Sequence, residues 1–211
     1  MEKLLVILGP TASGKTTLAV KLADIYNAEI ISADSRQIYQ GMDIGTGKDL
    51  DDYKLKDKKI PYHLIDILSP EIDYSVFQFK NDFHNIFKKL SKNKKLAILC
   101  GGTALYIDSV LFNYDMKEAA PNKILRGELE KLSINQLSKR LIAINQDAYN
   151  NSFHVTKRRI IRSIEILDSN NKKSNKSINK IIHNPLVIGI KIQRDVLLSN
   201  IKERLLFRIK E

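Results

Sequence analysis

Residues Lys3–Thr16 read KLLVILGPTASGKT. The apolar run after Lys3 has the length of a short buried strand, and the residues after it follow the spacing G-x-x-x-x-G-K-T. Beyond the loop, Leu18, Ala19, Leu22 and Ala23 recur at helical spacing, so the order is strand, loop, helix. In that order glycines let backbone N–H groups turn inward as an anion nest, and the helix N-terminus adds positive potential. Lys15 can reach phosphate oxygens and Thr16 can ligate magnesium. Gly9, Pro10, Thr11, Ala12, Ser13, Gly14, Lys15 and Thr16 are therefore the expected phosphate cradle. Such a loop most often binds ATP for phosphoryl transfer. Holding a diphosphate and transferring a phosphate are separate tasks, and the rest of the chain must decide between them.

AEIISADS, Ala28–Ser35, reads as a second strand that delivers Asp34 to its carboxyl end. Phe79, Phe83, Ile86, Phe87 and Leu90 lie on one helical face, followed by a strand at Leu96–Cys100 that runs into GGT. LVIGIKI, from Leu186 to Ile192, reads as a returning strand, and IKERLLFRIKE as a terminal helix. This alternation predicts an α/β fold with a P-loop NTPase-like parallel sheet flanked by helices. Ligands gather at the carboxyl ends of such strands, where the glycine loop, Asp34 and Thr103 all emerge. KILRGELEKL and INQLSKRLIAI, between residues 121 and 149, predict a small helical insertion. KRRIIRSIEIL, Lys157–Leu167, places Ile160, Ile161, Ile164 and Leu167 on one face while Arg158 and Arg162 share another. The polar, low-complexity SNNKKSNKSINK, Ser169–Lys180, is expected to be a mobile connection. The expected division is 1–115 for the first part of the core, 116–155 for the helical insertion, and 156–211 for the basic helix and the return to the core.

A chain of 211 residues, 43% hydrophobic and 28% charged, supports one sizeable core and a small appended subdomain. Its longest apolar runs are too short to span a bilayer, and the amino terminus lacks a signal-peptide arrangement, so the expected address is the cytoplasm. Cys100, beside Ala97, Ile98 and Leu99, reads as a buried core thiol without a catalytic role. The four histidines, His63, His84, His154 and His183, lack the close spacing of zinc ligands. Thirty-five Lys plus Arg against 24 Asp plus Glu leaves +11, the balance of a protein whose partner is a polyanion. Richness in Lys, Asn and Ile means that codon composition can supply part of that excess.

The segment SADSRQIYQGMDIGTGK, Ser32–Lys48, crowds Asp34, Arg36, Gln37 and Tyr39 at a strand end. An aspartate after a strand is ordinarily a cap or an ion-pair partner; beside a phosphate loop, this crowding favours a functional role. Gln37 offers a donor and an acceptor suited to a base edge, and Arg36 suits a phosphate. GGTALYI, Gly101–Ile107, taken alone is as well explained by a tight turn, and Thr103 gains weight from its neighbours.

Together GPTASGKT, ADSRQIYQGMDIGTGK, GGTALYI and RRIIRSIEIL resemble the successive signatures of the tRNA dimethylallyltransferases, also called tRNA isopentenyltransferases. RDVLLSNIKERL resembles the basic helix that follows the family's last strand. The resemblance implies transfer of a dimethylallyl group from its diphosphate to N6 of adenine 37 in the anticodon loop of certain tRNAs, with Mg2+. The phosphate loop would then grip a leaving group, with Lys15 stabilising the charge that develops on it. Asp34 would be the general base and Thr103 would position that base or the reacting amine. An adenine in a stacked loop reaches such a site only when flipped out. By the same resemblance, Asp34, Ser35, Arg36, Gln37, Thr103, Arg126, Arg158, Arg159, Ile160, Ile161 and Arg162 would contact tRNA, and Arg204 would approach the diphosphate. The implied partners are the tRNA anticodon stem-loop and dimethylallyl diphosphate, with no membrane, and a monomer is expected.

The resemblance is incomplete in two respects. Family members usually continue well past residue 211, with more helix and a basic-aromatic region, so the chain reads as a truncated or short form. Asn200 stands where another arginine is expected. Two alternatives follow: an adenylate isopentenyltransferase acting on free AMP, and a P-loop small-molecule kinase or non-catalytic nucleotide-binding module.

Overall fold

The computed structural model describes residues 3–55, 58–112, 121–150, 156–170, 182 and 184–210. The first element, β1 (Leu4–Leu8), is followed by α1 (Lys15–Tyr26) and β2 (Glu29–Ser32). After β2 come the short α2 (Asp43–Thr46), a 3-10 turn at Leu50–Tyr53, and three two-residue strands: β3 (Lys54–Leu55), β4 (Lys58–Lys59) and β5 (Tyr62–His63). The long α3 (Val76–Lys92) leads into β6 (Ala97–Gly101) and α4 (Ala104–Leu111). Then follow α5 (Lys123–Leu129), α6 (Ile134–Ile144), α7 (Gln146–Asn150), α8 (Lys157–Asn170), β7 (Leu186–Gly189) and α9 (Arg194–Lys210).

Contacts divide the chain into two compact units, one of Met1–Tyr114 with Asn179–Glu211 and one of Asp115–Ile178. The first holds a five-stranded parallel sheet in the order β5-β2-β6-β1-β7, with β3 and β4 paired antiparallel outside it. The alternation of β1 explains its two-sided burial. Leu4 and Val6 face the cluster that holds Phe79, Phe83 and Phe87 of α3 and Tyr106, Ile107 and Val110 of α4. Leu5 and Ile7 face the opposite cluster, with Ala19, Val20 and Ala23 of α1 and Tyr53. Such strands, buried on both faces, read as continuous apolar runs. The α3 stripe expected from Phe79 to Leu90 lies inward, and Ser75 opens that helix with a capping box to Gln78.

Because β6 lies between β1 and β2, the chain leaves β1, crosses to β2 and returns through β6. The loop after β1, Asp34 after β2 and Thr103 after β6 therefore leave the sheet at adjacent carboxyl ends, where open parallel sheets take their ligands. Cys100 is buried in the sheet, and burial pushes its thiol up to about 12, so it stays neutral at pH 7.

The second unit is helical and has its own core of Leu129, Leu137, Leu141, Ile160, Ile161 and Ile164. Helix α8 belongs to this unit, whereas the sequence division ended the insertion at residue 155 and put the basic helix with the return to the core. The physical reason is that the apolar face of α8 is matched by the inward faces of α5 and α6. Apart from Ser169 and Asn170 at the end of α8, the polar Ser169–Lys180 segment lies outside the described residues. No described helix is long and apolar enough to cross a membrane.

Candidate active site

The loop after β1 is shaped by its backbone before any side chain acts. Gly14, at φ +81°, occupies the left-handed region and forms the N-cap of α1, a conformation that an L side chain would strain. Ala12 also has positive φ, so the chain curls round the amides ahead of the helix. The Lys15 ammonium donates to the carbonyl of Pro10 across the loop at 2.5 Å. Burial pushes this ammonium below its ordinary value, an effect that the nearby Asp34 charge opposes. Ser13 is buried, and among the described residues its Oγ has no hydrogen-bond partner. A buried hydroxyl without such a partner is a polar group that a bound ligand would satisfy.

The loop forms one wall of a cleft of about 380 Å³, lined by residues 12–17 together with Asp52, Asn200, Glu203 and Arg204. Helix α9 thus brings Arg204 to the wall of this cleft. Arg204 donates through Nε (2.9 Å) and Nη2 (2.5 Å) to Oδ2 of Asp49, and through Nη2 to the Gly47 carbonyl at 3.3 Å. Asn200, in the place of an expected arginine, donates from Nδ2 to the Ala12 carbonyl at 3.2 Å and fastens α9 to the loop.

At the end of β2, one strand beyond β6, Asp34 Oδ1 accepts from the backbone N–H groups of Arg36 (2.9 Å) and Gln37 (3.4 Å), which makes it the pivot of the DSRQ turn. Thr103 ties the turn to β6. Its N–H donates to the Ala33 carbonyl at 3.1 Å, and its Oγ1 accepts from the Ser35 N–H at 3.0 Å and donates to Ser35 Oγ at 3.3 Å. The strands approach so closely here that a Cβ on Gly101 would lie 2.3 Å from the Ala33 carbonyl oxygen.

Arg36 is exposed, whereas Gln37 is occupied within the fold. Gln37 Nε2 donates to the Gly47 carbonyl at 3.2 Å, and its Oε1 accepts from Ser32 Oγ at 3.4 Å. Lys48, the last residue of MDIGTGK, is buried and donates to the Tyr39 carbonyl at 2.7 Å, to Asp43 at 2.7 Å and to Asp66. Burial lowers the pKa of this ammonium, but the two carboxylates outweigh it and raise the value. The segment is therefore clasped from beneath.

The remaining expected tRNA residues lie in the helical unit. Arg126 forms a two-pronged pair with Glu165 through Nε (2.7 Å) and Nη2 (2.8 Å), and Arg162 Nη1 donates to the same carboxylate at 3.3 Å. Glu165 is buried, which by itself raises its pKa, yet the Arg126 bonds, the Asn122 N–H and Arg162 hold it below the ordinary carboxylate range. Arg158 and Arg159 are exposed. Ile160 and Ile161 are 0% and 5% exposed, so their side chains build the core of the unit and do not offer a surface to tRNA. Sequence reasoning missed Lys48, whose nearer partners sit within its own segment, and Asp49, Arg208 and Glu165, whose roles depend on partners far along the chain.

Among the described residues no three His, Cys, Asp or Glu side chains gather as a metal site. The oxygen donors at the loop, Thr16 in the first turn of α1 and the orphaned Ser13 hydroxyl, are the hard type that suits Mg2+ shared with substrate phosphates.

The family model described as IPP transferase matches residues 37–211. The tRNA dimethylallyltransferase 1 of Azobacteroides pseudotrichonymphae is 47% identical over 210 residues, covering 99% of this chain and 68% of the relative. That of Syntrophus aciditrophicus is 42% identical over 212 residues, covering 100% of this chain and 68% of the relative. The crystal structure of the tRNA isopentenylpyrophosphate transferase from Bacillus halodurans, 32% identical, superposes with a TM-score of 0.62 and covers 100% of this chain and 67% of that one. With the glycine loop, Asp34 and Thr103 at adjacent strand ends, these likenesses place the chain in the IPP transferase family.

Proposed function

We propose that the chain transfers the dimethylallyl group of dimethylallyl diphosphate to N6 of adenine 37 in tRNA anticodon loops and releases diphosphate. The observation that carries this reading is the meeting of a phosphate-type loop with a carboxylate, Asp34, held at the next strand end but one by the amides of its own turn, a turn that Thr103 ties to β6 through Ala33 and Ser35. A carboxylate beside a phosphate loop also suits the acceptor hydroxyl of a kinase, and the likeness to tRNA dimethylallyltransferases favours the amine over the hydroxyl.

The carbon–oxygen bond of the allylic diphosphate breaks as a bond from N6 to the same carbon forms. Negative charge grows on the departing diphosphate, where Lys15, the loop amides and Arg204 supply a fixed positive field. Mg2+ held at Thr16 would add Lewis-acid neutralisation of the same oxygens. The exocyclic amine is a poor nucleophile because its lone pair is conjugated with the ring, so its proton must pass to a base. In this reading Asp34 takes that proton, and the turn amides on Oδ1 hold the carboxylate in one orientation. Thr103 holds the turn in place through Ser35. The adenine must leave its stack to enter, and Arg36, Arg158 and Arg159 are exposed cations suited to the tRNA backbone. The reading further implies a cytoplasmic, monomeric enzyme.

The test is incubation with radiolabelled dimethylallyl diphosphate and Mg2+, with unmodified tRNA and AMP offered in parallel. Label in tRNA is expected. Label in AMP alone would make it a free-nucleotide prenyltransferase, and magnesium-dependent ATP consumption without prenyl transfer would remove the reading.

A further inference from the structure

Two arginines one turn apart on α9, Arg204 and Arg208, converge on a single carboxylate, Asp49. Arg208 donates through Nε to Oδ1 at 3.1 Å and through Nη2 to Oδ2 at 2.8 Å, and Arg204 donates twice to Oδ2. Asp52 stands 3.8 Å from Arg204 and also lines the cleft. Burial raises the Asp49 pKa, but the bonds from Arg208 and Arg204 outweigh it and hold the carboxyl below its ordinary value, so the clasp is ionised at neutral pH.

An arginine on an exposed helix samples many rotamers, and holding it in one arrangement on ligand binding costs affinity. Asp49 removes that cost in advance. With Nε and Nη2 engaged, the guanidinium plane is fixed at the wall of the cleft, and among the described residues Nη1 has no protein acceptor. We propose that Asp49 is a positioning residue for the diphosphate, holding the Arg204 guanidinium at the cleft wall with Nη1 left for the ligand, while Arg208 shares its charge. This rests on the reading that the cleft takes a diphosphate.

Charge alone and positioning make opposite predictions. If only field strength mattered, Asp49→Asn would remove a negative charge beside an anion site and tighten binding. If positioning matters, the same change frees Arg204 and weakens binding.

The experiment titrates inorganic diphosphate, with Mg2+, into the intact chain by calorimetry, with melting temperatures for every variant. Asp49→Asn is expected to weaken binding about tenfold, the scale of a charge-assisted hydrogen bond that is no longer well placed. Asp49→Glu should recover part of the loss. In an Arg204→Ala background Asp49→Asn should have no further effect, because Asp49 acts through Arg204. Arg204→Lys, which keeps the charge and loses the fork, should show a similar loss and keeps the test open if Asp49→Asn folds poorly. Unchanged or tighter binding in Asp49→Asn, additive losses in the double variant, or wild-type affinity in Arg204→Lys would each overturn the proposal. Failure of the wild-type chain to bind inorganic diphosphate would overturn the cleft reading itself.

Discussion

Gly101→Ala tests the link between sheet packing and the candidate site. A Cβ at this position would lie 2.3 Å from the Ala33 carbonyl oxygen, 2.4 Å from its carbon and 2.7 Å from its Cα. An ordinary carbon–oxygen contact is about 3.3 Å, so the two strand ends must separate by about 1 Å. The contacts are all with backbone atoms at the ends of two central, neighbouring strands, so no side chain can swing aside. The movement strains the 2.8 Å bond from the Ala33 N–H to the Cys100 carbonyl and the 3.1 Å bond from the Thr103 N–H to the Ala33 carbonyl. Overpacking of this kind costs about 1–3 kcal/mol, and the rigid surroundings favour the upper end. For a chain of this size that is roughly a 6–12 °C fall in melting temperature. Asp34 follows Ala33 directly, and a 1 Å displacement of a reacting group can cost about a hundredfold in rate. Melting curves and single-turnover prenyl transfer, measured well below the lowered midpoint, check both numbers. A variant that melts within a degree or two of wild type refutes the steric argument. One that melts early yet transfers at the wild-type rate refutes the coupling of this contact to Asp34.

Asp34→Asn should leave inorganic diphosphate binding within about twofold and slow single-turnover transfer by roughly 10²–10⁴-fold; loss of diphosphate binding instead would show that Asp34 is not the base. Ile160→Ala should destabilise the helical unit by about 2–5 kcal/mol in denaturant melts, because Ile160 is 0% exposed; unchanged stability with weakened tRNA binding would contradict its place in the core. Glu165→Gln should cost about 2 kcal/mol at pH 7, at the lower part of the range for charged hydrogen bonds because its arginine partners are more than a third exposed. Since the folded Glu165 pKa is depressed, its contribution is fully present above the ordinary glutamate value of about 4.3 and fades as pH falls through the folded value. The gap between Glu165→Gln and wild type should therefore narrow in melts below about pH 4, and a gap that widens there would reverse the argument.

What could be read in advance was what is local or periodic. The β1 run, the spacing of the glycine loop and the phenylalanine stripe of α3 each announce themselves within a few residues, and strand ends then place Asp34 and Thr103 together. The strands β3, β4 and β5, with two residues each, are too short for alternation to be counted. Ion pairs leave no periodic trace. Asp49 within DLDDY looks like a solvated acid until α9 brings two arginines to it from more than 150 positions away. Gln37 looked suited to a base edge because its chemistry is two-sided, but Ser32 and Gly47 use both sides, so reading a base would require it to exchange those bonds.

A single physical device recurs in both units, and it bears on how an arginine can be structural and functional at once. Glu165 holds Arg126 and Arg162, and Asp49 holds Arg204 and Arg208, so each trio carries one net positive charge on guanidiniums whose planes are already set. Arg126 and Arg162 are still 37% and 38% exposed, and Arg204 is 31% exposed. An internal ion pair therefore does not withdraw these residues from an anionic partner. At Arg204 it engages the Nε and Nη2 edge and holds the guanidinium at the cleft wall in a fixed direction, which a lysine on a flexible stem cannot match. The ordering cost falls on folding, so less of it is charged against binding. Arg204 is thus better placed to orient a phosphate than the many lysines that dominate the net charge, whose contribution is long-range attraction screened by salt.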